Sequence, residues 1–285
     1  MSNCAFMVRF AVALLLFGGL LAQDYVCPMD ADVRSDKPGV CPRCGMKLVL
    51  GIPEPAEYPL RVTVQPEPPR AGQATELTLR VEDPRTGAAV TRFQVVHEKL
   101  CHLFLVSEDL QFFRHDHPEL RADGAFHLRA TFPGPGLYRL LADFYPSGGA
   151  PQLAPATIIV PGAGGDSFRA AALKPDLSAK RAATVEVALT TQPAQPIAGL
   201  KTMLFFRLTP ADGLEKYLGA WGHMLAASDD LIDMIHTHPF LPAEGGEIQF
   251  NVIFPRARTY RIWVQFQRNG VVNTAAFNVP VRELN

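Results

Sequence analysis

Val96-His97-Glu98-Lys99-Leu100-Cys101-His102-Leu103-Phe104-Leu105-Val106-Ser107-Glu108-Asp109-Leu110-Gln111-Phe112-Phe113-Arg114-His115-Asp116-His117-Pro118 carries a simple skeleton: His, then Ser-x-Asp-Leu, then His-x-His-Pro. The skeleton returns as His223, Ser228, Asp230, Leu231, His236, His238 and Pro239, each position 121 residues after its partner. Histidine occurs only eight times, and six of the eight fall on these matched positions. Such a coincidence predicts a duplicated domain. Each copy is expected to gather three imidazoles: His102, His115 and His117 in the first, His223, His236 and His238 in the second.

The text around the skeleton is written in strands. Leu60 to Val64 and Glu76 to Val81 alternate apolar with polar, as half-buried strands do. Val95 to Val106 is richly apolar and reads as a central strand. About seven strands, with turn signals between them, predict an immunoglobulin-like β-sandwich over residues 56–162, repeated over residues 180–285. The Gly- and Ala-rich residues 162–180 read as a linker.

In an extended segment residues i and i+2 point to one side. His115 and His117 therefore present both rings to one place, as do His236 and His238. A third ring from a neighbouring strand completes an N3 set suited to Cu(II) or Zn(II). His97 and His127 are further candidates in the first copy only, since Leu218 and Gln249 stand at the matched positions. Asp109 and Asp230 read either as acceptors for ring N–H groups or as turn caps. Cys101 is adjacent to His102 in the strand, so its thiol points to the opposite face. A buried inert thiol and a soft ligand are its two readings. Strand histidines that merely hydrogen-bond inside a sandwich are the competing explanation for all of these rings.

Net charge is −1 and no long basic run occurs, which argues against nucleic acid as a partner. Residues 1–22 read as a signal peptide: Arg9 supplies the positive end, and Phe10 to Leu21 form an apolar core short for a membrane span. An uncleaved anchor is the alternative. With the signal removed, no membrane span is expected, and a periplasmic or secreted location follows.

Residues 23–51 form a third unit. Tyr25-Val26-Cys27-Pro28-Met29 is followed by Lys37-Pro38-Gly39-Val40-Cys41-Pro42-Arg43-Cys44-Gly45-Met46-Lys47-Leu48. A Cys-x-x-Cys knuckle with a third cysteine upstream has metal-ligand spacing. Cys27, Cys41 and Cys44, with Met29 and Met46 as thioethers, make a soft donor set for Cu(I) or Zn(II). A Cys41–Cys44 disulfide and a purely structural zinc are the alternatives.

This unit resembles the small heavy-metal-binding domain found beside copper-transporting ATPases and on periplasmic adaptors of metal-efflux pumps. The likeness rests on Tyr25, Cys27, Pro28, Met29, Pro38, Gly39, Cys41, Pro42, Cys44, Gly45, Met46 and Leu48. It implies a metal-ion cargo, copper or zinc, and a metal-efflux system as partner. The family's His-Pro after Met is Asp30-Ala31 here, which leaves Asp30 as a candidate fourth ligand. The His…Ser-x-Asp-Leu…His-x-His-Pro segment is in turn similar to one that recurs in exported bacterial β-sandwich proteins. The sandwiches are also similar in overall shape to copper-resistance proteins of the periplasm.

The expected whole is all-β: a Cys-knuckle module followed by two tandem sandwiches. Its expected role is copper sequestration or delivery, without catalysis. A two-domain interaction scaffold with one structural zinc is the second reading. A metal-dependent hydrolase or redox enzyme is the third, disfavoured because the cupin, blue-copper and nucleophile-elbow patterns all fail.

Overall fold

In a computed structural model the described residues are 25–30, 33–51, 56–162, 170–239 and 245–284, and their regular elements are all β-strands. The signal segment lies outside the described residues, and no described helix is long and apolar enough to cross a membrane.

The N-terminal module is a three-stranded antiparallel sheet, with β1 (Tyr25–Val26) between β2 (Arg34–Ser35) and β3 (Val49–Leu50). Its core is little more than Cys27, Cys41 and Leu48, with Met29 and Met46 packed alongside. So small an apolar core stabilises a fold poorly without a cross-link or a metal.

The first repeat has β4 (Leu60–Gln65), β5 (Ala74–Val81), β6 (Cys101–Ser107), β7 (Phe113–Asp116), β8 (Glu119–Leu120), β9 (Phe126–Thr131), β10 (Gly136–Phe144) and β11 (Gln152–Val160). They form two antiparallel sheets, ordered β4-β5-β9-β8 and β11-β10-β6-β7. Alternation in β5 buries Leu77, Leu79 and Val81 against Cys101, Leu103 and Leu105 of β6. The second repeat follows with β12 (Lys180–Arg181), β13 (Glu186–Gln192), β14 (Lys201–Thr209), β15 (Leu214–Glu215), β16 (His223–Ser228), β17 (Met234–Thr237), β18 (Glu247–Ile253), β19 (Thr259–Arg268) and β20 (Val271–Pro280). Its sheets are β12-β13-β14-β18 and β15-β19-β16-β17, with β20 also paired to β19. The second core lies between them.

Strands β6 and β16 are buried on both faces. One face of each fills its own repeat's core. The other meets the opposite repeat: Phe104, Val106 and Leu141 pack with Leu225, Ala227 and Trp263 in an apolar cluster shared by both repeats. The β7-β6-β10 and β17-β16-β19 sheets therefore stack face to face. Across that seam Phe113 and Trp263 stack at 4.8 Å between ring centroids.

Two expectations need correction. Val95 to Leu100 is not part of the central strand. Val96 and Lys99 pair across a tight turn in which His97 (φ 46°) and Glu98 (φ 64°) are left-handed, and that backbone breaks the ladder. The second repeat turns the same way at Leu218 (φ 51°) and Gly219 (φ 76°). Nor is the described half of the linker a free tether. Ala171 and Leu173 pack into the shared cluster, the Ala171 N–H donates to the Asp229 carbonyl, and Asp176 pairs with Asn278.

Candidate metal centres

The step of two along β6, β7, β16 and β17 sorts the seam into an apolar end and an imidazole end. Phe104 and Val106 continue the row that begins at His102, while His115 and His117 continue the row from Phe113. Both histidine triplets consequently meet in one cluster instead of forming the two separate sites expected. Ring centroids of His102 and His223, from opposite repeats, are 5.5 Å apart, and those of His115 and His223 are 5.4 Å apart. Within the repeats His102 and His117 lie at 4.9 Å, and His236 and His238 at 4.5 Å. His97, held inward by its left-handed turn, stacks on His238 of the other repeat at 3.8 Å. Phe104 floors the cluster, stacked on His115 at 4.3 Å.

Hydrogen bonds fix which ring nitrogens face inward. His102 donates its Nε2–H to the Val96 carbonyl at 3.0 Å, and His223 donates its Nε2–H to the Tyr217 carbonyl at 3.0 Å. Both tight turns thus serve to hold a ring. His115 donates its Nδ1–H to Gln265 Oε1 at 2.8 Å, and His236 donates its Nδ1–H to Asp143 Oδ2 at 2.6 Å. These two bonds cross the seam in opposite directions. A neutral imidazole has one N–H, so His102, His115 and His236 then turn a bare lone pair to the centre, while His223 Nδ1 faces His238 Nε2 at 2.8 Å.

Two such lone pairs, His102 Nδ1 and His115 Nε2, stand 3.0 Å apart with their protons engaged elsewhere. Two acceptors at that distance repel unless a cation lies between them. Nitrogens around a tetrahedral zinc, with bonds of about 2.0–2.1 Å, sit about 3.3 Å from one another. The buried His97 Nε2, His117 Nε2, His236 Nε2 and His238 Nδ1 have no hydrogen-bond partner. Burial pushes His102 down to about 4 and His97 and His117 to about 3, and holds His223 and His238 well below the ordinary range. Those five rings are therefore neutral, the form that ligates metal. Two overlapping groups result, His102–His115–His223 and His223–His236–His238, each with its donor atoms within 4.8 Å of one another.

The module gathers Cys27, Cys41, Cys44 and Asp30, again within 4.8 Å. Cys27 Sγ lies 3.4 Å from Cys44 Sγ, and Asp30 Oδ2 lies 3.3 Å from Cys41 Sγ. The tight turns point the backbone N–H groups of Met29 and Asp30 at Cys27 Sγ and that of Arg43 at Cys41 Sγ. Asp30 stands with its other oxygen 3.2 Å from Arg43 Nη1. The hydrogen bond from Cys44 lowers Cys27 to about 6; the same contact raises Cys44, and burial raises Cys41. All four described cysteines are free, so the Cys41–Cys44 bridge is not formed.

The remaining candidates lie elsewhere. Met29 and Met46 belong to the module's apolar packing. Cys101 is buried in the first repeat's core, on the opposite face of β6 from His102. His127 sits on the outer sheet between Glu76 and Asp123, at 3.2 and 2.8 Å, away from the other rings. Asp109 and Asp230 touch no imidazole; each accepts from the serine two residues earlier and from the backbone two residues later, closing a turn. Asp143 and Gln265 were missed in the sequence, though a polar residue inside Leu140-Leu141-Ala142-Asp143-Phe144 and inside Trp263-Val264-Gln265-Phe266 was a signal.

Residues 25–49 match a family described as "Heavy metal binding domain". No curated protein matches the chain. Solved structures with a similar arrangement include the Escherichia coli adhesin FdeC (15% identity, TM-score 0.26, 82% of this chain and 70% of that one). The Yersinia pseudotuberculosis adhesin InvE (12%, 0.26, 78% and 60%) and fibronectin(III)-like modules of Clostridium thermocellum CbhA (11%, 0.22, 78% and 95%) are others. The chain thus spans less than two thirds of the Yersinia chain. Residues 56–162 and 180–283 each match the family described as "Domain of unknown function (DUF8832)", and the chain belongs to that family, with two copies of its domain.

Proposed function

We propose that this is an exported metal-binding protein that sequesters or delivers copper or zinc, with a soft ion at the cysteine module and Cu(II) or Zn(II) among the imidazoles. The observation that carries the reading is the pair of lone pairs on His102 and His115, 3.0 Å apart while their N–H groups are spent on acceptors outside the cluster. Satisfied sandwich histidines would use both nitrogens in hydrogen bonds. Ligands oriented through their second nitrogen are the usual build of a metal site. Export rests on the apolar segment at residues 10–21, and a metal-efflux system is the partner that the module's likeness suggests.

The sandwiches on this reading are immunoglobulin-like. Their strand orders support it, as does Tyr138, near the start of β10, which donates to the Gly134 carbonyl, with Tyr260 at the matched place in β19. The role is binding and not catalysis: Asp143, the carboxylate beside the cluster, holds the His236 ring at 2.6 Å.

Metal content per chain tests the proposal. After equilibration with Cu or Zn, elemental analysis should find ions lost when His115 and His236 are both changed to Ala, and a separate ion lost when Cys27, Cys41 and Cys44 are changed to Ser. A single zinc that only the cysteine changes remove would leave the sandwiches as a scaffold and end the proposal for the imidazoles.

A further inference from the structure

The module is not a separate bead. It sits over the imidazole end of the seam and shares two clefts with it. One, of about 550 Å³, has Met29, Asp30 and Cys44 on one side and His236 and His238 on the other. The second, of about 320 Å³, has Cys41 and Cys44 facing His97 and His238. Cys44 and His238 line both clefts. Cys44 is the least buried of the three module cysteines, whereas Cys27 and Cys41 are enclosed. His238 is buried, and its Nδ1 has no hydrogen-bond partner. Cleft walls carrying Arg43 and Lys216 oppose the entry of a free cation. They oppose it less once thiolates have cancelled the ion's charge.

Taking the imidazole cluster as a metal site, we infer that the cysteine module is its loading port: an ion captured by Cys27, Cys41, Cys44 and Asp30 passes within the same chain to the imidazoles, leaving last from Cys44 and arriving first at His238. The step is a ligand exchange with no change of oxidation state. A metal–sulfur bond breaks, a metal–nitrogen bond forms, and each sulfur released takes a proton from water. His117, the repeat counterpart of His238, lines neither cleft and is not on the route.

Co(II) added at one equivalent to the full reduced chain reports both sites, because thiolate-to-cobalt charge transfer is absent from an all-imidazole site. The charge-transfer band should appear first and then decay with a rate independent of protein concentration, undiminished by a soluble chelator. His238→Ala should leave the band formed but slow its decay. Without that entry ligand the direct exchange from Cys44 has no acceptor, and the ion reaches the imidazoles only by way of solvent. His117→Ala should weaken final binding at the imidazoles without that slowing. A decay that scales with protein concentration, is intercepted by the chelator, or slows equally in both variants overturns the inference. A band that never decays, with one ion bound at saturation, overturns the imidazole site itself.

Discussion

Asp143 and Gln265 stand at matched positions of the two repeats, and each takes the Nδ1 proton of a histidine from the other. They differ in strength, because a carboxylate holds an imidazole N–H more firmly than an amide does and raises the basicity of the far nitrogen. Asp143→Asn should therefore lower metal affinity at the imidazole cluster by about 10-fold or more, the usual cost of removing such a support. Competition titration against a chelator of known affinity measures it, with the cysteine module's affinity as the internal control. Equal affinity in both proteins would mean that His236 does not ligate. The sequence made His102, His115, His117 and their counterparts legible through repetition. Repetition also set His127 apart, since Gln249 stands at its matched position, but only the sheet its strand joins shows that it lies away from the seam. His97 was no more legible, because its ring reaches the cluster through a left-handed backbone that nothing in its neighbours announces.

The Ser-x-Asp-Leu element is the same turn in both copies, with different contacts at its aspartate. In each, the serine hydroxyl donates to the aspartate, and Leu110 or Leu231 takes a left-handed conformation and enters the shared apolar cluster. Arg256 clamps the second turn, at 2.9 Å from Asp230 and 2.8 Å from Asp233, and among the described residues no arginine pairs with Asp109. Asp230→Ala should cost about 1–2 kcal/mol in urea unfolding, because it breaks several charge-assisted hydrogen bonds, and Asp109→Ala should cost less. Burial pushes Asp230 up, but the bonds from Arg256, Ser228 and the Ile232 N–H outweigh it and leave the carboxyl well below its ordinary range. The sign follows: the contribution is complete above the unfolded value of about 3.9 and is lost as pH falls below it. The difference between wild type and Asp230→Ala should shrink on acidification through that range, and a constant difference would place the loss elsewhere. The strands around this turn were legible from alternation. Where the sequence stops alternating, at Leu103-Phe104-Leu105-Val106 and Met224-Leu225-Ala226-Ala227, it was marking strands buried on both faces. That is the signature of a second surface to cover, and it was read only as a central strand.

At the scale of the molecule, the seam joins two functions that the sequence kept apart. Its apolar end holds the repeats together, and its imidazole end takes ligands from both. Metal binding and domain packing must then be linked, since an ion held by His102, His115 and His223 draws on both repeats and is lost when they part. Trp263 tests the link. It is buried in the shared cluster and stacks on Phe113, two residues along β19 from Gln265. Trp263→Ala removes a large ring from the seam, at a cost of about 3–5 kcal/mol for a fully packed aromatic. If each triplet worked within its own repeat, the affinity of the imidazoles would survive this change. With ligands shared across the seam, the binding-ready arrangement becomes a minor population, and apparent affinity falls in proportion. Zinc titration of Trp263→Ala should show that fall at the imidazole cluster and none at Cys27, Cys41 and Cys44. Reciprocally, saturating zinc should recover more thermal stability in wild type than in a His115→Ala/His236→Ala double variant, by about 2.7 kcal/mol at 100 times the dissociation constant. Calorimetry of the two proteins with and without zinc decides it: equal stabilisation by zinc would mean that the ion sits in the module alone and that the seam is held only by its apolar end.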